Sequence, residues 1–177
     1  MNRRISPAMI ALVALLIALT TIITGWTVRV PVPATQGYFN LSDVPITFIG
    51  LVFGPWVGLV AGGMGTALAD LFGGYAFFSP FSLIAHGSEG LLIGLLGRRQ
   101  RGVPRMILAW LAGAVAMVTV YFLVEGFLKG WPAALVEVPV NVGQALLGAI
   151  AGIPLVLAVR RAYPRVDQIG QRHEWTE

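Results

Sequence analysis

The chain has 177 residues, of which 56% are apolar and 11% charged, and a formal net charge of +4. A soluble domain carries about 25% charged residues, so the composition excludes a water-soluble globule and describes an all-α integral membrane protein with room for roughly six helices of about 20 residues. Cysteine is absent, which excludes disulfides, Cys-ligated metals and a Cys nucleophile; the positive charge sits in short Arg clusters, a topology signal rather than a nucleic-acid footprint.

In chain order, the first apolar segment covers residues 8–25 and is long enough to span. Asn2-Arg3-Arg4 before it resembles the start of a signal peptide, but the run is too long for one and no small-x-small cleavage site follows. Segments 40–53 and 56–71 are separated by Gly54-Pro55, a helix-breaking pair that makes a tight turn. Both are short for a span and must extend, tilt or lie partly inside the protein. Segments 80–96, 105–124 and 134–159 follow, and the polar tail 160–177 is too short for a second domain. The expectation is a single membrane domain, a compact bundle of six transmembrane helices.

Arginines set the orientation. Arg3 and Arg4 precede segment one, Arg98, Arg99, Arg101 and Arg105 lie between segments four and five, and Arg160, Arg161 and Arg165 follow segment six. The positive-inside rule puts all three clusters, and both termini, in the cytoplasm. The loops near 26–43, 72–79 and 125–131 then face outward. They are rich in aromatic and polar residues, and a membrane-interface belt explains the aromatics alone. It does not explain Arg29, Asn40, Asp43 and Asp70 beside them. For Asp43, capping of the second helix is the competing role.

Polar residues inside the apolar segments carry the functional signal. Glu137, Asn141 and Gln144 share one helical face at i, i+4, i+7, and Ser82, His86 and Glu89 do the same in segment four. Tyr121 and Glu125 close segment five. Ionisable groups in a membrane cost at least about 2.5–3.5 kcal/mol and so face a bundle interior or a watery cavity. Two stripes at matched depth describe a pocket; a closed interhelical network that only holds the bundle together is the alternative. Small residues form a further pattern: Ala11, Ala14 and Ala18 on segment one, Gly58 with Gly62, Gly90 with Gly94, Gly148 with Gly152. Such spacing lets backbones approach closely, within the bundle or against another protein. No phosphate-binding loop, H-E-x-x-H pair, G-x-S-x-G elbow or carboxylate pair at metal-binding spacing occurs, so no metal or cofactor is expected. Nor is there an obvious internal repeat of the transporter type.

The stretch from Tyr38 to Gly94 resembles a known family. YFNLSDVPITFIGLVFGPWVGLVAGGMGTALADLFGGYAFFSP and LIAHGSEGLLIGLL, with the later VEVPVNVGQALLGAIAGIPL, are similar to the riboflavin-type branch of S-components of energy-coupling-factor (ECF) vitamin transporters. Ser42 stands where that pattern has Gly, and His86 where it has Lys. The resemblance implies a non-enzymatic membrane subunit of a prokaryotic plasma membrane. It would capture a vitamin or vitamin precursor at the outer face, a flat heterocycle such as riboflavin. It would then join a transmembrane coupling subunit and two cytoplasmic ATPases, and topple in the bilayer to release its cargo. On this resemblance Tyr38 and Asn40 contact ligand while Asp43 caps the second helix. Tyr75, Phe78, Tyr121 and Trp131 stack on the heterocycle, and His86, Glu89, Glu125, Glu137, Asn141 and Gln144 surround it with polar groups. Ala11, Ala14 and Ala18 meet the coupling subunit. A stand-alone facilitator or channel is the alternative function, and an intramembrane enzyme using His86 and Glu89 a further one.

Overall fold

The computed structural model describes residues 6–33, 35–98 and 100–169. Arg3, Arg4, Arg99 and the end of the tail, all named above, lie outside the described residues. Helix α1 (Pro7–Trp26) starts where Ser6 Oγ accepts from Met9 N at 3.2 Å, with Pro7 preset for a first turn. A small antiparallel hairpin follows, β1 (Val30–Val32) paired with β2 (Gly37–Phe39). It occupies the stretch the sequence assigns to a loop, and it ends the second helix's expected extension: α2 is Asp43–Phe53, starting three residues later than 40. Then come α3 (Pro55–Phe72), α4 (Ser79–Gly97) and α5 (Val103–Lys129). The last extends through Glu125 to Lys129, so most of the expected outer loop 125–131 is helical.

Helix α6 (Trp131–Leu147) passes through a π-helical turn (Gly148–Gly152) into α7 (Ile153–Ala162), and a short α8 (Val166–Ile169) closes the described chain. Among the described residues, four stretches are long and apolar enough to cross a membrane: α1, α3, α5 and the continuous 131–162. Helix α2, with 11 residues, spans only about 16 Å at 1.5 Å per residue, roughly half of a hydrocarbon core. It does not need to cross. All of it except Val44 and Phe48 is buried, and it forms the centre of the bundle.

Glycine explains how α2, α3 and α4 fit together. The break between α2 and α3 needs Gly54, whose φ of 93° is costly for any residue with a Cβ. Along the α3–α4 seam the backbones touch: a methyl on Gly58 would overlap the carbonyl of Gly90, and one on Gly62 would lie 2.8 Å from His86 O. This is small-residue packing in its tightest form. The glycines of the π-turn do the same against α2, since a methyl on Gly148 would lie 2.8 Å from Thr47 Oγ1. The Gly pairs are internal packing. Ala11, Ala14 and Ala18, by contrast, are exposed, because α1 turns Leu16, Thr20, Thr21 and Thr24 inward.

The two ends of the bundle differ in chemistry. At one, Leu16, Ile49, Leu51, Phe53, Ile93, Met106 and Val156 form the main apolar core, capped by Val166 and packed by Met9 and Leu12 near the start of α1. There Arg160 clamps the chain, donating to Gln100 O at 2.8 Å and Leu51 O at 3.1 Å and pairing with Asp167 at 2.9 Å. Arg101, Arg160 and Arg161 line one depression at this end, so the turn between α4 and α5 and the end of α7 are neighbours. The other end carries the hairpin and the polar residues.

A candidate ligand chamber under the hairpin

The polar groups of α3, α4, α5 and α6 meet beneath the hairpin. A tyrosine–acid chain forms the first wall. Tyr38 Oη donates to Asp70 Oδ1 at 2.6 Å, Ser82 Oγ donates to Asp70 Oδ2 at 2.5 Å, and Ser82 Oγ lies 2.7 Å from Tyr121 Oη. Burial and the neighbouring Asp70 carboxylate push the Tyr38 phenol up, so it stays a neutral donor. Facing this wall, Gln144 Oε1 accepts from Asn40 N at 3.0 Å and Gln144 Nε2 donates to Ser42 Oγ at 3.3 Å. Asn40 Oδ1 in turn accepts from Ser42 N at 2.7 Å, which shapes the turn into α2.

The hairpin tip is fastened from two helices. Thr35 Oγ1 donates to Glu137 Oε1 on α6, and Lys129 at the end of α5 donates to Thr35 O and to Glu125 Oε1, the latter at 3.2 Å. On the opposite side Arg29 lies between two rings, 4.3 Å from the Tyr38 centroid and 4.5 Å from that of Tyr75, and donates to Gly73 O at 3.2 Å. Cation–π contacts of this kind contribute about 0.5–2 kcal/mol. The hairpin is thus a cover held at both edges.

Under it lies a chamber of about 40 Å³. Tyr38, Asn40, Phe78, His86, Tyr121, Glu125, Glu137, Asn141 and Gln144, all candidates from the sequence, line it. So do Thr24, Gly37, Thr66, Asp70 and Ser82, which the sequence reading does not nominate as ligand contacts. Asp70 had a usable signal, a lone acid in an otherwise uncharged span; Ser82 lay on the recognised stripe. Two wall groups have no hydrogen-bond partner among the described residues: Glu125 Oε2, which is buried, and the Asn141 side-chain amide.

Three expected contacts lie elsewhere. Trp131 is half-exposed and packs on Phe122, Phe127 and Gly126 away from the chamber, because it starts α6 on the bundle's outside. Tyr75 lines a wider depression outside the hairpin, where it stacks on Tyr38. Glu89 lies behind the wall, fully buried, its Oε2 2.9 Å from His86 Nδ1. Asp43 also departs from expectation. It is the first residue of α2 and caps nothing; its carboxylate is fully buried, with Oδ1 3.5 Å from His86 Nδ1. No spacing in the sequence announces this Asp43–His86–Glu89 cluster, since Asp43 reaches it from a different helix.

Long apolar helices around a polar chamber, covered by a hairpin at one end, define a multi-pass membrane protein. The chain belongs to the family of ECF-type riboflavin transporter S components, which matches residues 4–161. It is 38% identical over 130 residues to an uncharacterized protein in the gap 3' region of Pyrococcus woesei, covering 73% of this chain and 87% of that one. It is also 32% identical over 142 residues to the thiamine precursor transporter HmpT of Lactococcus lactis subsp. cremoris, covering 80% of this chain and 81% of the relative. A shorter match, 30% over 74 residues, reaches a UPF0397 protein of Streptococcus pneumoniae, covering 42% of this chain and 40% of that one. The protein is therefore a prokaryotic cell-membrane transport component for a vitamin-type substrate, not an enzyme.

Proposed function

We propose that the chain captures a small, single-ring heterocycle bearing amino or hydroxyl donors, of the kind found in a thiamine precursor, and delivers it inward with an ECF coupling subunit and two ATPases. The observation that carries this reading is the chamber itself: small, covered by the hairpin, and walled by the carboxylates of Asp70, Glu125 and Glu137. Carboxylates accept hydrogen bonds and cannot donate them, so the complementary ligand is rich in donors. The unpaired Glu125 Oε2 and the Asn141 amide are the groups left for it. A buried water needs about 10–15 Å³ of such space, so the chamber of about 40 Å³ holds a ligand that displaces roughly three or four waters. A substituted pyrimidine is larger than that, so the hairpin must lift for it as well, though by less than for a fused-ring ligand. The relative that transports a thiamine precursor points the same way.

Riboflavin, which the family's description carries, has three fused rings and a sugar-alcohol chain and would need the hairpin to lift and α6 to withdraw. In this reading the hairpin end faces outward, the arginine end faces the cytoplasm, and the exposed Ala11, Ala14 and Ala18 face meets the coupling subunit.

Native mass spectrometry of the purified chain, followed by competition, tests the assignment. One bound molecule per chain, displaced by a 4-amino-pyrimidine and not by riboflavin, is expected. Displacement by riboflavin alone would overturn the substrate class while leaving the family membership intact.

A further inference from the structure

At the chamber wall, sharing His86 with it, lies a second group of side chains, two of them set back from the ligand space. Asp43, His86 and Glu89 are each fully or almost fully buried, and one ligand atom from each lies within 4.8 Å of the others. His86 Nδ1 is 2.9 Å from Glu89 Oε2 and 3.5 Å from Asp43 Oδ1. Three carboxylate oxygens in the cluster, Asp43 Oδ1, Asp43 Oδ2 and Glu89 Oε1, have no hydrogen-bond partner among the described residues.

We propose that these three residues bind one first-row divalent metal ion, of the zinc or cobalt type. Charge is the first argument. Two carboxylates inside a membrane bundle are each costly without a counter-charge. A protonated imidazole cannot satisfy both: Nδ1 has a single hydrogen, Glu89 is the nearer acceptor, and Asp43 keeps two oxygens without a donor. A dication neutralises both acids and covers the Asp43 oxygens. Geometry is the second. Metal bonds to nitrogen and carboxylate oxygen are about 2.0–2.2 Å long, which puts neighbouring donor atoms about 2.9–3.5 Å apart around a tetrahedral or octahedral ion. The distances from His86 Nδ1 to the two carboxylates fall in that interval.

The donor set decides the class of ion. One imidazole and two carboxylates suit zinc, cobalt, nickel, manganese or ferrous iron, whereas magnesium and calcium prefer oxygen alone. The chain has no cysteine, which disfavours soft ions. The consequence reaches the chamber. With Nδ1 on the metal, the His86 proton must sit on Nε2. His86 also lines the chamber and packs edge-on against Tyr121, 5.7 Å between centroids. The ion would fix His86 as a donor toward the ligand and tie the first turn of α2 to α4. This inference does not depend on which vitamin is carried.

The test uses tag-free protein in detergent, in a His173→Ala background so that His86 is the remaining histidine. After chelator treatment the protein is titrated with Co²⁺. One equivalent should bind with visible ligand-field absorption and raise the thermal unfolding midpoint, as any ligand specific for the folded state must. Asp43→Asn, Glu89→Gln and His86→Lys should each weaken Co²⁺ binding at least tenfold; His86→Lys keeps a cation beside the acids and so guards against simple misfolding. If any variant fails to fold, the stoichiometry and midpoint shift of the parent protein still decide. No binding by that parent, or equal binding by a folded His86→Lys protein, would overturn the proposal.

Discussion

The arginine end and the hairpin end of this bundle are built on opposite rules. At the arginine end, apolar side chains fill the interior and Arg160 ties three chain segments together through carbonyls and Asp167. At the hairpin end the interior is polar, two wall groups lack partners among the described residues, and the cover is held by an arginine between two tyrosines and by Thr35. Apolar helix packing in lipid rests on van der Waals contact and is insensitive to direction, whereas a polar wall with unpaired groups is costly unless something completes it. The difference teaches where function resides. We infer that the arginine end serves packing and that the unpaired wall groups of the hairpin end are left for a ligand.

The seam that joins the ends is the most vulnerable place. Gly58→Leu forces a side chain into the backbone of Gly90, which cannot yield. Its cost should reach or exceed the upper end of the about 1–3 kcal/mol seen for overpacking. Thermal unfolding in detergent should show the loss, and a near-normal midpoint would mean that α3 and α4 are less closely packed than described. Next in size, Ala14→Trp or Ala18→Trp should abolish uptake in cells while ligand affinity stays within twofold, because that face is exposed and remote from the chamber. Loss of binding as well would place the stripe inside the fold.

The independence of the two ends is sharpened by a smaller pair of changes. Arg160→Ala removes charged hydrogen bonds to two carbonyls and should cost about 2 kcal/mol without altering ligand affinity. Tyr38→Phe removes the bond to Asp70 and loosens the cover; ligand release should accelerate about threefold to tenfold, equivalent to about 0.5–1.5 kcal/mol. The double variant should show both effects added, as distant sites do. A large coupling between them would erase the distinction between the ends.

Much of this was legible in the sequence for a physical reason. The helices are written in hydropathy, and the stripes Ser82–His86–Glu89 and Glu137–Asn141–Gln144 are written in helical period, which survives without tertiary information. The matched depth of the stripes suggested that they meet, and the residues of Tyr38–Gly94 suggested an S component. What failed to show was everything set by contacts between elements. The β-hairpin depends on pairing between short Val-Pro-Val and Gly-Tyr-Phe strands that carry little periodic signal. Asp43 reads as a helix cap by its position, yet tertiary packing turns it toward His86. Trp131 reads as a stacking ring by its type, yet α6 begins with that residue on its outer side. The 11-residue α2 reads as a span by hydropathy, but hydropathy cannot separate a lipid-facing helix from one enclosed by others.

The most direct measurement of the central claim is a binding titration of the isolated chain, wild type against Asn141→Ala and Glu125→Gln, with an amino-pyrimidine as the ligand. The Asn141 amide and Glu125 Oε2 face the chamber with no hydrogen-bond partner among the described residues, Glu125 Oε1 being held by Lys129, so each substitution should weaken affinity at least tenfold, about 1.4 kcal/mol, and Asn141→Ala should leave the unfolding midpoint nearly unchanged. Wild-type affinity in both variants would show that the ligand binds somewhere other than the space beneath the hairpin.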